Sequence, residues 1–279
     1  MGATLDLNPN RADLMTFTAG LSVATFRDVT PANLWGCAPP YRNPLLQEEA
    51  LNGRHVLFYN NGGYYDFSSI IENPEGASRR QALIDLFGVG PVNPGYTVVA
   101  VVKFPPQAQQ RTLLHIGSFR ENSEGKRVAL GTLGDMGFPG FHWGDGYKRF
   151  GQTRIDDAVW HVVAWLFPAG GVYDEASLWV DGDQWVEAIT ETPTGSPLID
   201  LLEDYVDHLL IGASLYDLDT WLPFEGYLAR LLIYNSALVP NQVEQVSHDL
   251  AHLYDLGWGR TSMGALSSLS GLSGLGGGG

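Results

Sequence analysis

Short stretches of alternating hydrophobic and polar residues run through most of the chain, separated by glycine and proline. The most apolar stretch is Tyr96 to Phe104, which ends at Pro105-Pro106. A continuous β-branched run of this length predicts a central strand that is buried on both faces. The same pattern predicts further strands at Arg111 to Phe119, Arg127 to Leu133, Trp160 to Phe167, Glu175 to Val180, Leu209 to Ala213 and Tyr227 to Tyr234.

Glycine-containing turns separate these strands. Asp181-Gly182 follows Glu175 to Val180 and predicts a tight turn into the next strand. Asn61-Gly62 lies between two β-rich runs and predicts a hairpin by the same rule. Residues 134 to 151 are glycine-rich and contain several aromatic residues, which predicts either a long loop or short hairpins.

Two segments have helical periodicity. The first is Ser78 to Phe87. The second begins at Pro240, a favoured first helical position, and is predicted to end at Gly257. Its apolar residues recur at helical spacing, which predicts that this face packs on the domain. These residues are Val243, Val246, Leu250, Leu253 and Tyr254.

The two ends of the chain differ from its middle. Residues 1–30 alternate weakly and predict an arm or a first edge strand, while residues 31–257 form the predicted domain. Residues 258–279 form a Gly/Ser/Leu-rich tail with a leucine at every third position, a period that a three-residue-per-turn extended helix holds. The tail is either flexible or docked on a neighbouring subunit. Its periodic leucines are Leu266, Leu269, Leu272 and Leu275.

Charge and cysteine content exclude several classes of function. The chain has 31 acidic and 16 basic residues, a net charge of −15, whereas nucleic-acid binding needs clustered cations. Cys37 is the single cysteine, so an intrachain disulfide and a multi-cysteine metal site are excluded. The first 20 residues lack the pattern of a secretory signal, and no stretch is long enough to span a bilayer, so we expect no membrane insertion.

The order of the strand and turn segments carries a family resemblance. The segments are Leu51 to Phe67 with Asn61-Gly62 in its turn, Trp160 to Ala164, Ser177 to Gly182, Leu209 to Ala213 and Phe224 to Leu238. In this order they resemble the laminin-G-like family of the concanavalin A-like lectin/glucanase jelly rolls, over residues 51 to 256. The resemblance implies an all-β fold, a two-sheet antiparallel jelly-roll sandwich with a short C-terminal helix.

The resemblance also bears on candidate chemistry. Catalytic glucanases of this superfamily carry carboxylates on alternate residues of one strand, and the sequence contains no such motif, so we expect no enzymatic activity. The family often holds a calcium ion in loops at one end of the sandwich. Asp217, Asp219 and Trp221 are the candidates for calcium or carbohydrate binding, because carboxylates suit both ligands and an aromatic face suits a sugar ring.

Other residues are weaker candidates. Phe141 and Trp143 lie in the glycine-rich region and could contact a partner subunit, a glycan or the domain itself. His248 and His252 have the spacing of metal ligands on a helix, but they need a third ligand to hold a metal.

Two functions of different class follow from these features. The first is a structural protein of a virion, most typically of a tailed bacteriophage, since laminin-G-like modules are common in such proteins. It would decorate the capsid or belong to the tail or fibre, assemble in the host cytoplasm as a homo-oligomer, and contact the major capsid or tail protein. The alternative is a carbohydrate-binding lectin module that attaches to a host glycan or another glycan.

Overall fold

The structure is a computed structural model in which two antiparallel sheets stack face to face and one helix covers the outer face of one sheet. It confirms the predicted all-β, two-sheet antiparallel sandwich with a short C-terminal helix. The residues that it describes are 3, 5–18, 20–27, 35–37, 43–60, 63–67, 95–106, 111–117, 127–133, 138–143, 147–151, 154–169, 175–184, 189–191, 209–217, 220–221 and 223–258.

The described strands are short and are named in chain order. They are β1 (Leu5–Leu7), β2 (Met15–Phe17), β3 (Val23–Arg27), β4 (Trp35–Cys37), β5 (Leu45–Leu51), β6 (Arg54–Tyr59), β7 (Tyr65–Asp66), β8 (Tyr96–Lys103), β9 (Arg111–Gly117), β10 (Arg127–Leu133), β11 (Phe138–Trp143), β12 (Tyr147–Phe150), β13 (Trp160–Phe167), β14 (Ser177–Val180), β15 (Asp183–Gln184), β16 (Ile189–Glu191), β17 (Leu209–Ile211), β18 (Leu215–Asp217), β19 (Thr220–Trp221) and β20 (Gly226–Tyr234). A short 3-10 turn spans Ala12–Leu14, and helix α1 spans Pro240–Tyr254.

The strands form one sheet of eight and one of ten. The eight-stranded sheet has the order β15-β14-β13-β8-β20-β6-β5, and β1 also pairs with β20. The ten-stranded sheet has the order β16-β12-β11-β10-β9-β17-β7-β4-β3-β2. Strands β18 and β19 form a separate small hairpin.

Strand β8 is central, as its sequence predicts. It lies between β13 and β20, and all its residues except Lys103 are buried. Val98, Ala100 and Val102 belong to the core between the sheets, while Val99 and Val101 belong to a second core beneath α1. A strand that is covered on both faces needs apolar residues at every position, which explains the unbroken apolar run.

Helix α1 packs its apolar face on the outer face of the eight-stranded sheet, as predicted. Its buried residues are Val243, Ser247, Leu250, Ala251 and Tyr254. The Tyr254 hydroxyl donates to the Ala229 carbonyl (2.9 Å), and the Arg54 guanidinium lies 5.5 Å from the centroid of the Tyr254 ring. The helix ends at Tyr254 because Asp255 turns left-handed with φ of 54°, two residues before the glycine that the sequence indicated.

The hairpin predicted across Asn61-Gly62 is wrong. Strand β6 pairs with β5 and β20 in one sheet, whereas β7 pairs with β17 and β4 in the other, so the chain crosses between sheets here. The Asn-Gly hairpin is Asn52-Gly53 instead, between β5 and β6. Its φ values of 50° and 79° are those of a type I′ turn. Asp181-Gly182, with φ of 55° and 88°, forms the predicted turn between β14 and β15.

The first thirty residues contribute strands to both sheets. Strand β1 pairs with β20 (Leu5 opposite Ile233), and Leu5 and Leu7 are buried. Strand β2 forms the edge of the ten-stranded sheet and pairs with β3. Of the two interpretations left open, an edge strand therefore describes β2. The division at residue 30 stays a prediction.

Several predictions fall outside the described residues. These are the helix at Ser78 to Phe87 and, from residue 259 onward, the tail with Leu266, Leu269, Leu272 and Leu275. Within the described part of the chain, no helix has the length and apolar character needed to cross a membrane.

Candidate functional site

Four residues line up across the outer face of the eight-stranded sheet at one end of the sandwich. In register, Phe58 of β6 is opposite Tyr227 of β20, Tyr227 is opposite Lys103 of β8, and Lys103 is opposite Trp160 of β13. Each is at or next to the end of its strand, and each side chain is partly exposed. We call these four residues the aromatic row.

The rings of the row stand upright on the sheet. The centroids of Phe58 and Tyr227 are 4.8 Å apart with an interplanar angle of 28°. This separation equals the usual spacing between paired strands, so the two rings stack side by side across the strands instead of lying flat. Trp160 is 6.1 Å from Tyr227 and is tilted by 58°. Phe58 and Tyr227 therefore present ring edges to solvent.

Lys103 lies between two of these rings. Its Nζ is 4.7 Å from the centroid of Tyr227 and 5.8 Å from that of Trp160. Both distances are within the range in which a ring face attracts a cation. The lysine side chain is thus held in place within the row, with its ammonium group among aromatic rings.

The aromatic row lies on the outer face of the eight-stranded sheet, and α1 covers the same face towards the middle of the strands. Two residues into the same strands lie Val56, Val101, Val162 and Ala229, which are buried in the core beneath the helix. Trp160 and Tyr227 pack against the edge of that core. The aromatic row is thus a partly exposed continuation of the face that α1 covers.

A rigid base supports the row from the opposite face. Tyr59, Phe104 and Phe224 are fully buried at the same end of the sandwich, with Phe224 5.3 Å from each of the other two rings. Close-packed aromatic rings beneath a sheet limit its movement. The backbone that carries the row is therefore preorganised.

His161, next to Trp160, points to the inner side of β13. Its Nδ1 donates to Asp181 Oδ2 (2.7 Å) and its Nε2 to Asp157 Oδ1 (3.2 Å). Burial alone would lower the pKa of His161, but the two carboxylates outweigh it and the pKa is raised. Asp181 Oδ1 also accepts from the Val162 backbone N–H (2.9 Å), so this cluster ties the start of β13 to the turn after β14. We interpret the cluster as structural.

Arg111 forms a second polar cluster at this end. Its guanidinium donates to the Pro105 carbonyl (3.1 Å) and lies 3.6 Å from Glu225. Burial lowers the pKa of Arg111, opposed by the charges of Glu225 and Asp156. The carboxylate of Asp156 is itself held by Arg154 at 2.7 and 2.6 Å. Each described carboxylate of this cluster thus has a cationic partner, which favours a structural role.

Two of the three residues predicted to bind calcium or carbohydrate lie on the β18–β19 hairpin. Asp217 and Trp221 are on the facing strands of the β18–β19 hairpin, where Asp217 is opposite Thr220 and Leu215 is opposite Trp221. Asp219 lies outside the described residues. The part of the chain that the structure describes contains no group of three or more His, Cys, Asp or Glu placed to hold a metal ion. The calcium assignment stays a prediction.

Phe141 and Trp143 lie on a strand. Both belong to β11, which pairs antiparallel with β10 and with β12, and this pairing agrees with the short hairpins that were one of the two predicted alternatives. Trp143 is opposite Val128 and Tyr147 in backbone register. Their role as partner contacts stays a prediction.

Sequence reasoning missed the aromatic row. Its members are more than 40 positions apart in the chain, and only the strand register brings them together. One local signal was present. On β6 and β8 a valine on the outer face is followed two residues later by a large or charged residue, whereas on β13 the large residue comes two positions before the valine.

Comparisons with known structures support the fold. Domain 4 of AbnA, a GH43 extracellular arabinanase from Geobacillus stearothermophilus solved with arabinotriose, matches with a TM-score of 0.57 at 16% identity, over 88% of this chain and 98% of that domain. A mutant of Trypanosoma rangeli sialidase with trans-sialidase activity matches with a TM-score of 0.50 at 14% identity, over 86% of this chain but 32% of the sialidase. The CBM40 of Ruminococcus gnavus IT-sialidase matches with a TM-score of 0.49 at 16% identity, over 73% of this chain and 98% of that module.

The similarities to the arabinanase domain and to the sialidase, at 16% and 14% identity, show a shared β-sandwich fold. No protein-family model matches the sequence, and no curated protein sequence matches it. The chemistry must therefore be inferred from the residues of this chain.

Proposed function

We propose that this protein is a carbohydrate-binding protein whose aromatic row contacts the glycan. The observation that carries the proposal is the row itself, which is a partly exposed line of three aromatic rings and one lysine on a rigid sheet. A monomeric domain gains stability by burying such rings, so a row left open indicates a binding surface.

The chemistry of the row suits a sugar. A sugar ring has apolar C–H faces and polar hydroxyl groups, and aromatic side chains offer an apolar body with, for tyrosine and tryptophan, a polar tip. The Tyr227 hydroxyl and the Lys103 ammonium supply hydrogen-bonding groups between apolar rings. Because the backbone is held from below, little conformational entropy is lost on binding.

The fold supports the same proposal. The matched domain of the arabinanase was solved with an oligosaccharide, and the match covers nearly all of that domain. This likeness concerns the fold alone, whereas the row belongs to this chain. The proposal therefore takes up the lectin-like alternative from the sequence.

The virion assignment stays a prediction. Its basis is the sequence resemblance, and none of the described contacts favours a capsid, tail or fibre position. The same holds for the predicted homo-oligomer, for the capsid or tail partners, for location in the particle and for the expected lack of enzymatic activity. A virion protein can carry a glycan-binding surface, so the two functions are compatible.

The proposal is tested by screening the purified full-length protein on a glycan array and titrating the best ligand by calorimetry. Phe58→Ala and Trp160→Ala should each weaken binding about tenfold, equivalent to roughly 1.4 kcal/mol. Phe17→Ala is the matched control, because Phe17 is an exposed ring (40%) on β2, in the other sheet. Binding to no glycan, or equal losses from Phe17→Ala and Phe58→Ala, would contradict the proposal.

The same titration tests the predicted calcium loop. If Asp217 and Asp219 hold calcium, chelation should weaken glycan binding or lower the melting temperature, and Asp217→Asn should remove that response. A chelator without effect on either quantity would argue against the loop assignment. The proposal for the aromatic row does not require calcium, so it stands in either case.

A further inference from the structure

Among the residues that the structure describes, Lys103 has neither the carboxylate partner that several arginines have nor the carbonyl to which Arg54 donates (Leu253, 2.8 Å). Arg11, Arg154 and Arg230 each hold an aspartate through two hydrogen bonds of 2.6 to 2.9 Å. None of the ion pairs among the described residues includes Lys103, whose described partners are two aromatic rings. In a chain with 31 acidic and 16 basic residues, a lysine without a carboxylate partner is conspicuous.

We propose that the aromatic row selects a sugar that bears a carboxylate, such as a uronic acid, and that Lys103 binds the carboxylate. The inference rests on the carbohydrate-binding function proposed above and specifies its ligand class.

The first argument is the charge within the row. The rings around Lys103 attract its ammonium through their faces but carry no net negative charge, so a full positive charge remains at the surface. A carboxylate that reaches this group forms charge-assisted hydrogen bonds, which are roughly twice as strong as neutral ones. A neutral hydroxyl of a sugar would form a weaker hydrogen bond with the Lys103 ammonium group than a carboxylate would.

The second argument is the orientation of the rings. Phe58 and Tyr227 stand upright, so their edges face outward. The edge of an aromatic ring is its electropositive part, whereas the face is electronegative. The outward edges of Phe58 and Tyr227 therefore extend the positive charge of Lys103 into a locally positive strip, which favours an anionic group over a second cation.

The overall negative charge of the chain does not oppose this inference at short range. Charges farther from Lys103 than about 8 Å are largely screened at physiological ionic strength. Charges that lie closer decide the local preference. In register, the neighbours of Lys103 are the uncharged Tyr227 and Trp160. The carboxylates that precede them in the chain, Glu225 and Asp157, pair with Arg111 and His161. The acidic surface thus sets solubility, and the row sets ligand choice.

The test compares uronic-acid oligosaccharides with their carboxyl-reduced counterparts, which have the same linkage and ring but no charge. Wild-type protein should bind the acidic member about tenfold more tightly, measured by calorimetry. Lys103→Met, which keeps the apolar stem, should remove this preference, so that the acidic and the neutral member bind with equal affinity. Lys103→Arg, which keeps the charge, should retain the preference.

The outcomes separate the two proposals. Equal affinity for both members in wild type, or a preference that survives in Lys103→Met, overturns the acidic-sugar inference and leaves carbohydrate binding intact. Binding to neither member and to no glycan on the array overturns both. A polyglutamate peptide is the third ligand. If it binds through Lys103 while no sugar binds, the row is a protein-docking surface and the inference is wrong.

Discussion

The outer face of the eight-stranded sheet has two regions, which lie on the same four strands. One region carries small side chains and the other carries large ones. Beneath α1 the outer face carries Val56, Val101, Val162 and Ala229, all buried. Two residues further towards the loop end it carries the larger side chains of the aromatic row, all partly exposed.

The difference shows which residues the fold requires. A helix can approach a sheet closely only where the side chains between them are small, so valine and alanine are needed under α1. Beyond the helix the positions of the row are partly exposed, and a stable domain would tolerate polar residues there. Large rings at these open positions are not required by packing, which makes ligand binding the better explanation.

The largest expected effect is the loss of an anchor of α1. Tyr254→Ala removes a buried ring and its hydrogen bond to Ala229, so we expect unfolding to become easier by about 3–5 kcal/mol. Chemical denaturation followed by fluorescence measures this. Tyr254→Phe keeps the ring and should cost only about 1 kcal/mol. Equal costs for the two variants would show that the ring itself contributes little.

Exchanging residues between the two regions tests the comparison directly. Val162→Trp places a large ring beneath α1 and should destabilise by about 1–3 kcal/mol through overpacking. Trp160→Val makes the reverse change at an open position on the same strand and should cost less than about 1.5 kcal/mol. Denaturation curves of both variants give the result. A larger cost for Trp160→Val would mean that the row is a structural cluster.

His161 lies one residue from the row, on the inner side of β13, and should give the fold a pH dependence. The pKa of His161 is higher in the folded protein than in the unfolded chain, where it is about 6.5. Protonated His161 therefore stabilises the fold fully at a pH below about 6.5, and this stabilisation is lost as the pH rises through the pKa of the folded protein. Between about pH 6 and pH 8 we expect the unfolding free energy of wild type to fall on the order of 1 kcal/mol more than that of His161→Gln. Parallel slopes for the two proteins would contradict the raised pKa.

The smallest expected effect is at the turn that leads into β6, the strand of Phe58 and Val56. Gly53 has φ of 79°, and Gly53→Ala should cost about 1 kcal/mol because a side chain is strained there. Asn52→Gly keeps the turn geometry but removes hydrogen bonds to the Tyr254 and Asp255 carbonyls (2.7 and 3.1 Å). Thermal melts compare the two. No loss in either variant would show that the turn does not anchor α1.

The sequence was most informative where one local pattern decides the structure. The β-branched run at Tyr96 to Phe104 predicted the central strand, and Pro240 with its periodic apolar residues predicted α1. The rule that an Asn-Gly pair between two β-rich runs predicts a hairpin failed at Asn61-Gly62. The strands on either side of this pair belong to different sheets and therefore do not pair with each other. Asn52-Gly53 has the same turn chemistry, and there the adjoining strands do pair.

The candidate site was less accessible from sequence. Asp217 and Trp221 were found because they are close in the chain, and the structure places them on one hairpin. Phe58, Lys103, Trp160 and Tyr227 become neighbours only through the order of β6, β20, β8 and β13. Strand order is a property of the whole sheet, which no local pattern specifies.

The pairing of β20 also affects how the chain reaches its structure. This strand lies near the centre of its sheet and pairs with β1, β6 and β8, all of which come much earlier in the chain. During synthesis those strands leave the ribosome long before the strand that joins them. Contacts of such large sequence separation slow folding, so the sheet and the aromatic row are expected to form only after β20 has emerged.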